Sequence, residues 1–432
     1  MRKIPRHSLY INLFELLFSF IKILIKFKST YQVRYENIIL KKIKKNLNSK
    51  TIYHVSTWRI GFYLSLKSLG LKNKSEVLTT SLSIPDQINS ILLAKMKPVY
   101  VDLDLNSHGI CLNDLKKKIS NKTKVLHLTY LSGIIPSNLD KIMKLAKKKK
   151  IIVIEDISQA YGANFKNKQI GSFGDIAVGS LSTGKMISSI AGGLIFLNNK
   201  KCQKKLELEL KKHSSYCDIK TMLKICFWQI TIAIATNKII FNIFTYYYLK
   251  FLSIFNPEKF NNAELRNKIF NKKLIEKTFY QNPIILRKKY PKSLFFKLTS
   301  IQLNLVSLTS NRLYLNLKKI RSQAKMYLEK LPDNIQINIP KDSFKWKTNA
   351  YWHFPITFKN SNEMLKIKKK LFEHGVDCVG YSFPLIYKLK KFNNKKISLK
   401  NTDLIKNNTI FLPIHSNLSN SDIENVIKVL KN

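Results

Sequence analysis

The stretch from Val153 to Phe196 holds the residue types from which a covalent active site could be built. It opens on an apolar run ending in Glu155-Asp156 and continues through Ser158, Gln159 and Tyr161. It then passes Gly171-Ser172-Phe173-Gly174-Asp175, Gly179-Ser180-Leu181-Ser182-Thr183-Gly184-Lys185 and Ala191-Gly192-Gly193. A carboxylate that closes an apolar strand needs a cationic partner or several donors, or it takes up a proton. A protonated pyridine nitrogen is one such partner, and the pairing keeps an aromatic ring able to accept electrons from a substrate carbanion. The small residues from Gly179 to Gly184 let backbone N–H groups approach a phosphate, and Ser180 adds a hydroxyl donor. Lys185 offers an amine for a Schiff base and, once released, a carrier for a proton. Spacing alone leaves a plainer reading open, in which Asp156 is a helix cap and Lys185 one surface lysine among many.

Such residues need strand ends and loops to hold them, and the pattern before them supplies both. From residue 51 the chain alternates strand and helix: Thr51–His54, Ile60–Leu69, Glu76–Thr79, Pro85–Met96, Pro98–Asp102, Asn113–Ile119, Lys124–Tyr130, Leu139–Lys148 and Ile151–Asp156. Repeated βαβ units imply an α/β fold with a mainly parallel central sheet covered by helices, and its ligands belong at the carboxyl ends of the strands. The large domain is expected over 51–298, and a smaller α+β domain over 299–432. In the latter, a long helix over Thr299–Leu331 precedes a strand at Trp352–Thr357, a helix at Asn362–His374, a strand near Val376–Gly380 and a last helix from Ser421.

Two stretches stand apart. Residues 1–50 form an N-terminal arm whose apolar run Leu9–Phe27 is interrupted by Glu15, Lys22 and Lys26. No small-residue cleavage site follows it, so it reads as a surface-lying amphipathic helix. An apolar insertion at about 216–290 includes Met222–Phe255, and lysines break it before it reaches the length of a bilayer span. A buried hairpin and a membrane-surface element are both compatible with it.

The formal net charge is +50 in 432 residues. Lysines are spread throughout, alongside many Ile and Asn, which is the pattern of compositional drift. The chain shows no zinc-finger spacing, RNA-recognition signature or basic zipper, so nucleic acid is not the expected partner. An anionic lipid surface or phosphorylated small molecules suit the charge. The five cysteines, Cys111, Cys202, Cys217, Cys226 and Cys378, are odd in number and lack CxxC spacing. A disulfide frame and a metal site are therefore not expected, and a reducing cytoplasm is the default, with a peripheral position at the inner membrane face as the variant.

The order of these motifs resembles the DegT/DnrJ/EryC1/StrS family of sugar aminotransferases. Further matches are Lys97-Pro98-Val99-Tyr100-Val101-Asp102, Leu131-Ser132-Gly133, His213-Ser214, Thr299-Ser300-Ile301-Gln302 and Leu412-Pro413-Ile414-His415. The resemblance implies a fold-type I transferase, a homodimer, and pyridoxal 5′-phosphate as cofactor. It implies an amino group moved from glutamate to a keto-sugar on a nucleotide, for surface polysaccharide or lipopolysaccharide. It also implies roles: Lys185 binds the cofactor covalently, Asp156 pairs with the ring nitrogen, Gln159 lies near the ring and Ser180 binds the phosphate. Ser56, Thr57 and Arg59 occupy a further phosphate-binding turn at a helix N-terminus. That turn lacks the family's glycine. Ile84 stands where many members stack an aromatic on the ring, and Phe295 where they place a phosphate-reaching Asn. These departures motivate an alternative, a non-catalytic scaffold or sensor that keeps the fold. A dehydratase branch, in which histidine replaces the lysine, is disfavoured by Lys185.

Overall fold

The computed structural model describes residues 2–26, 33–49, 51–212, 215–255, 284–331, 337–392 and 397–431. A seven-stranded sheet organises it, built from β1 (Ile52–Val55), β2 (Glu76–Thr80), β3 (Lys97–Val101), β4 (Thr123–Thr129), β5 (Ile152–Asp156), β6 (Ile176–Ser180) and β7 (Gly193–Leu197). The order across the sheet is β1-β7-β6-β5-β4-β2-β3. Strands β3, β2, β4, β5 and β6 run parallel, and β7 is antiparallel to both β6 and β1. The mainly parallel α/β sheet matches the expectation. Strands β6 and β7 are additions to the expected alternation: β6 runs into the small-residue segment Gly179–Gly184, and β7 follows the lysine loop. Their glycines hid them, since glycine is rare inside strands unless another backbone approaches closely. Gly193 is such a case: a Cβ there would sit 2.8 Å from the Thr57 carbonyl carbon.

Helices α1 (Leu13–Lys26) and α2 (Val33–Asn46) precede the sheet, and α3 (Trp58–Ser68) and α4 (Pro85–Leu93) pack against it. The insertion forms α5 (Ile219–Ala235), a bend, and a second helical stretch of Lys238–Ile240, a π-turn at Phe241–Thr245 and Tyr246–Phe255. Its remainder, 256–283, and His213-Ser214 lie outside the described residues. The expected helix over Thr299–Leu331 is two, α6 (Ser300–Asn311) and α7 (Leu313–Lys330), hinged at Arg312. A capping box at Thr299 and Gln302 starts α6. Gln302 and Thr309 then hydrogen-bond to the backbone of Ala191 and Ser188, fixing α6 to the Lys185 loop.

The C-terminal segment carries a four-stranded antiparallel sheet made of β8 (Ile337–Asn338), β9 (Phe354–Phe358), β10 (Val379–Gly380) and β11 (Thr409–Leu412). The arm's first residues strap onto this segment. Ile4 bridges Val376, and Arg6 forms a buried ion pair with Asp377.

Candidate active site

Glu155 and Asp156 end β5 side by side but point to opposite faces, as alternation along a strand requires. Glu155 is fully buried. It accepts from Gly171 N (3.0 Å), Phe173 N (2.8 Å), Gly174 N (2.7 Å) and the Tyr130 hydroxyl (2.6 Å). Burial pushes its carboxyl above the usual range, and these donors oppose the shift. Glu155 therefore folds the Gly171–Gly174 loop, and it leaves Asp156 as the acid facing the sheet's carboxyl edge.

Asp156 accepts from Ser158 N at 2.9 Å. Burial raises its carboxyl above the ordinary value, while Ser158, the charge of Lys185 and the Trp58 indole pull it back. Lys185 is 8% exposed. Desolvation lowers its ammonium to about 7, with Asp156 opposing, so each of these groups lies close enough to shift the other. The Lys185 Nζ sits 3.4 Å from the centroid of the Trp352 ring, and Trp352 Nε1 donates to Gly184 O at 2.8 Å. Cation and loop are thus held by one aromatic side chain. His353 is half-buried beside them. Burial, then Lys185 and His7, hold its imidazole far below the usual value and hence neutral.

Gln159 is buried, and its Oε1 accepts from Ser132 N at 2.6 Å. Ser132 has φ 59°, and Gly133 follows at φ +75°. A Cβ on Gly133 would meet Gln159 O at 2.4 Å and the Tyr351 and Trp352 nitrogens at 3.0 Å, so only glycine lets the Tyr351-Trp352 backbone approach. From Ser132 a polar chain runs through the Tyr381 hydroxyl (3.1 Å) to His108 Nδ1 (3.0 Å). This joins the small sheet to the large one. Ser180 ends β6, its N donates to Ser158 Oγ at 2.9 Å, and its hydroxyl donates to Ser182 Oγ at 3.0 Å.

The structure brings Lys185, Asp156, Gln159 and Ser180 to one edge of the sheet. The turn at Ser56, Thr57 and Arg59 reaches the same end, but its side chains are engaged within the protein. Ser56 donates to Leu294 O, and Thr57 caps α3 by accepting from Ile60 N at 3.4 Å. Arg59 forms an ion pair with Asp86 (2.6 Å), which also holds Arg287 (2.6 Å). Arg59, placed by the resemblance in a phosphate-binding turn, is here part of a buried triad with an acid on α4. Ile84 caps the N-terminus of α4, and Phe295 packs edge-on to Tyr63 and Tyr290 of its own chain.

Buried polar groups at this edge fit a bound ligand. The hydroxyls of Thr129, Tyr161 and Thr183 are buried with no hydrogen-bond partner among the described residues. Thr129 is the register partner of Asp156, Tyr161 feels its charge, and Thr183 lies two residues before Lys185. Unsatisfied groups of this kind are costly unless a ligand or water completes them. Trp58 and Thr183 stand inside the motifs read from the sequence without a role of their own, since nothing in their spacing marks them. For Tyr351-Trp352-His353 the sequence favours core or surface over a substrate cleft; the structure places Trp352 against Lys185, just after a Tyr351 with φ 49°.

The sequence model of the DegT/DnrJ/EryC1/StrS aminotransferase family matches residues 43–224 and 251–431. GDP-perosamine synthase of Escherichia coli O157:H7 is 31% identical over 173 residues, 40% of this chain and 46% of that enzyme. The match thus spans less than half of that relative. Among solved structures, Helicobacter pylori PseC, an aminotransferase involved in the biosynthesis of pseudoaminic acid, superposes with TM-score 0.71 at 17% identity, covering 100% of this chain and 98% of that one. Escherichia coli GDP-4-keto-6-deoxy-D-mannose-3-dehydratase with bound hydrated PLP gives 0.72 at 18% identity, with 100% of both chains covered.

Proposed function

Since the chain belongs to the DegT/DnrJ/EryC1/StrS aminotransferase family, we propose that it is a pyridoxal-phosphate-dependent aminotransferase acting on a keto-sugar carried by a nucleotide. The observation that carries this reading is a buried lysine whose ammonium is held near 7, beside an acid at a strand's carboxyl end. When bound, pyridoxal phosphate supplies an aldehyde and an electron sink.

In this reading Asp156 holds the proton on the ring nitrogen, and its raised carboxyl regains its charge against that cation. Gln159, fixed through Ser132, orients the ring. Ser180, Thr183 and the Gly179–Gly184 backbone bind the phosphate, joined by the N-terminus of α3 behind Thr57. Lys185, neutral for part of the time at pH 7, would hold the cofactor through its amine and would carry a proton at Nζ. Trp352 and the neutral His353 exclude water from Nζ.

The nucleotide-sugar substrate is supported by the similarity to GDP-perosamine synthase and by the chain's basic charge. Glutamate as donor, a homodimer and a place in surface-polysaccharide synthesis follow from the family resemblance and belong to the same proposal. The lysine at 185 favours amination over the dehydratase branch.

The test is an absorbance spectrum of purified protein with added cofactor. A visible band that borohydride fixes onto a peptide containing Lys185, and that glutamate shifts, supports the reading. A protein that stays colourless with added cofactor overturns it. Biological function surviving in a folded Lys185→Ala variant would favour the scaffold reading instead.

A further inference from the structure

We infer that the outer face of α1 and the insertion helices is a docking surface for an anionic lipid bilayer. Helix α1 packs on α5 through Leu16, Ile23, Met222 and Cys226, all buried, with Cys226 Sγ donating to Leu16 O at 3.5 Å. That contact uses one side of each helix. The other sides stay bare: on α1, Phe14 is 82% exposed and Phe18 and Ile25 are also exposed, and on the insertion Phe227, Ile243 and Phe244 are each more than 60% exposed. A patch of this size on a folded chain marks a binding face.

Charge selects the occupant. Exposed Lys22, Lys224 and Lys238 are interleaved with these side chains, and Lys22 lies over the Phe18 ring at 4.3 Å. The only acids in α1 or between 218 and 255 are Glu15 and Asp218. Glu15 is paired with Arg312 at 3.0 Å, and Asp218 accepts from Thr221 N at 2.9 Å as the cap of α5. A second copy of the chain would bring lysines against lysines. An anionic bilayer supplies the missing negative charge and takes the aromatic side chains at its headgroup boundary.

Among the described residues no single helix is long and apolar enough to cross a membrane, and α5 with the helical stretch after it is bent by 59°. The pair passes as a bent span by length and composition alone, whereas the burial of Met222, Ile225, Cys226 and Ile230 on the protein body suits helices lying on a surface. Residues 1–42 and 225–250, which carry most of this face, fall outside the family match.

Flotation of the full-length protein on vesicles of phosphatidylcholine, with and without phosphatidylglycerol, tests the inference. Recovery with the anionic vesicles is expected at low salt, little with neutral ones, and about tenfold weaker binding when salt rises severalfold. Phe18→Glu with Phe227→Glu should lower binding roughly a hundredfold with the circular dichroism unchanged. Should that pair fail to fold, Lys224→Glu with Lys238→Glu should abolish the preference for anionic vesicles. No flotation on anionic vesicles at low salt overturns the inference. So does an oligomer that Phe18→Glu with Phe227→Glu splits while vesicle binding persists, which would make the face a protein contact.

Discussion

The sheet's carboxyl edge and the α1–insertion face are opposites in what they leave unsatisfied. At the edge, what lacks partners among the described residues is polar: the Thr129, Tyr161 and Thr183 hydroxyls around a lysine and an acid. On the helical face the acids are paired and what lacks a partner is apolar. Buried unsatisfied polar groups call for a small, charged, hydrogen-bonding ligand of fixed shape. Exposed aromatic rings among lysines call for an extended apolar surface with negative charge and no fixed shape. One chain therefore carries two kinds of specificity, and each can be broken separately.

The largest effect belongs at the edge. Lys185→Ala should lower the rate of amino-group transfer by about 10⁴-fold, since it removes both nucleophile and proton carrier. The measurement is single-turnover kinetics with glutamate. Vesicle flotation of this variant should not change, and a parallel loss would mean that the two regions are coupled. Next comes Asp86→Ala, which leaves the Arg59 and Arg287 guanidiniums buried without their acid. It should cost about 3–5 kcal/mol in urea unfolding. A loss below about 1 kcal/mol would mean that the two guanidiniums find other partners once the acid is gone.

How far the sequence reaches differs between the two regions in the same way. The βαβ alternation up to Asp156 was legible because each strand is a short apolar run bounded by turn residues, and Asp156, Gln159, Ser180 and Lys185 do meet at one edge. Strands β6 and β7 were not legible, because Gly179 and Gly193 serve close packing against Tyr161 and Thr57 instead of strand propensity. The partners of Arg59 and Lys185 were hidden for another reason: Asp86 and Trp352 arrive from other elements, one of them through a left-handed Tyr351. In the helical region, spacing gave amphipathic helices but not which side would be covered. That depends on α1 meeting α5 across a long separation in sequence.

A third prediction concerns the thermodynamic cost of keeping an amine in the site. Lys185 has its folded value lowered to about 7 from an ordinary 10.5, so between those values the unfolded chain binds more protons than the folded one. Stability then rises with pH across that window, and the full penalty is present below about 7. Lys185→Met removes the penalty and should stabilise the cofactor-free protein by roughly 1–3 kcal/mol at pH 7, after allowance for the lost Trp352 contact. The advantage should shrink as pH climbs toward 10.5. Urea melts at pH 7 and pH 9.5 read both numbers, and an advantage that grew with pH would contradict the burial of a charged amine as its cause.

The smallest expected effect sharpens the contrast most. Phe14→Ser removes a ring that is 82% exposed. If water is the neighbour of that ring in the free protein, stability should move by less than about 0.5 kcal/mol, while affinity for anionic vesicles falls measurably. A loss above about 1.5 kcal/mol that deepened on dilution would instead mean that another copy covers Phe14 in solution. The two outcomes rest on one physical difference. A lipid surface is absent during a urea melt and contributes nothing to it, whereas a partner subunit is present throughout and is lost with the fold.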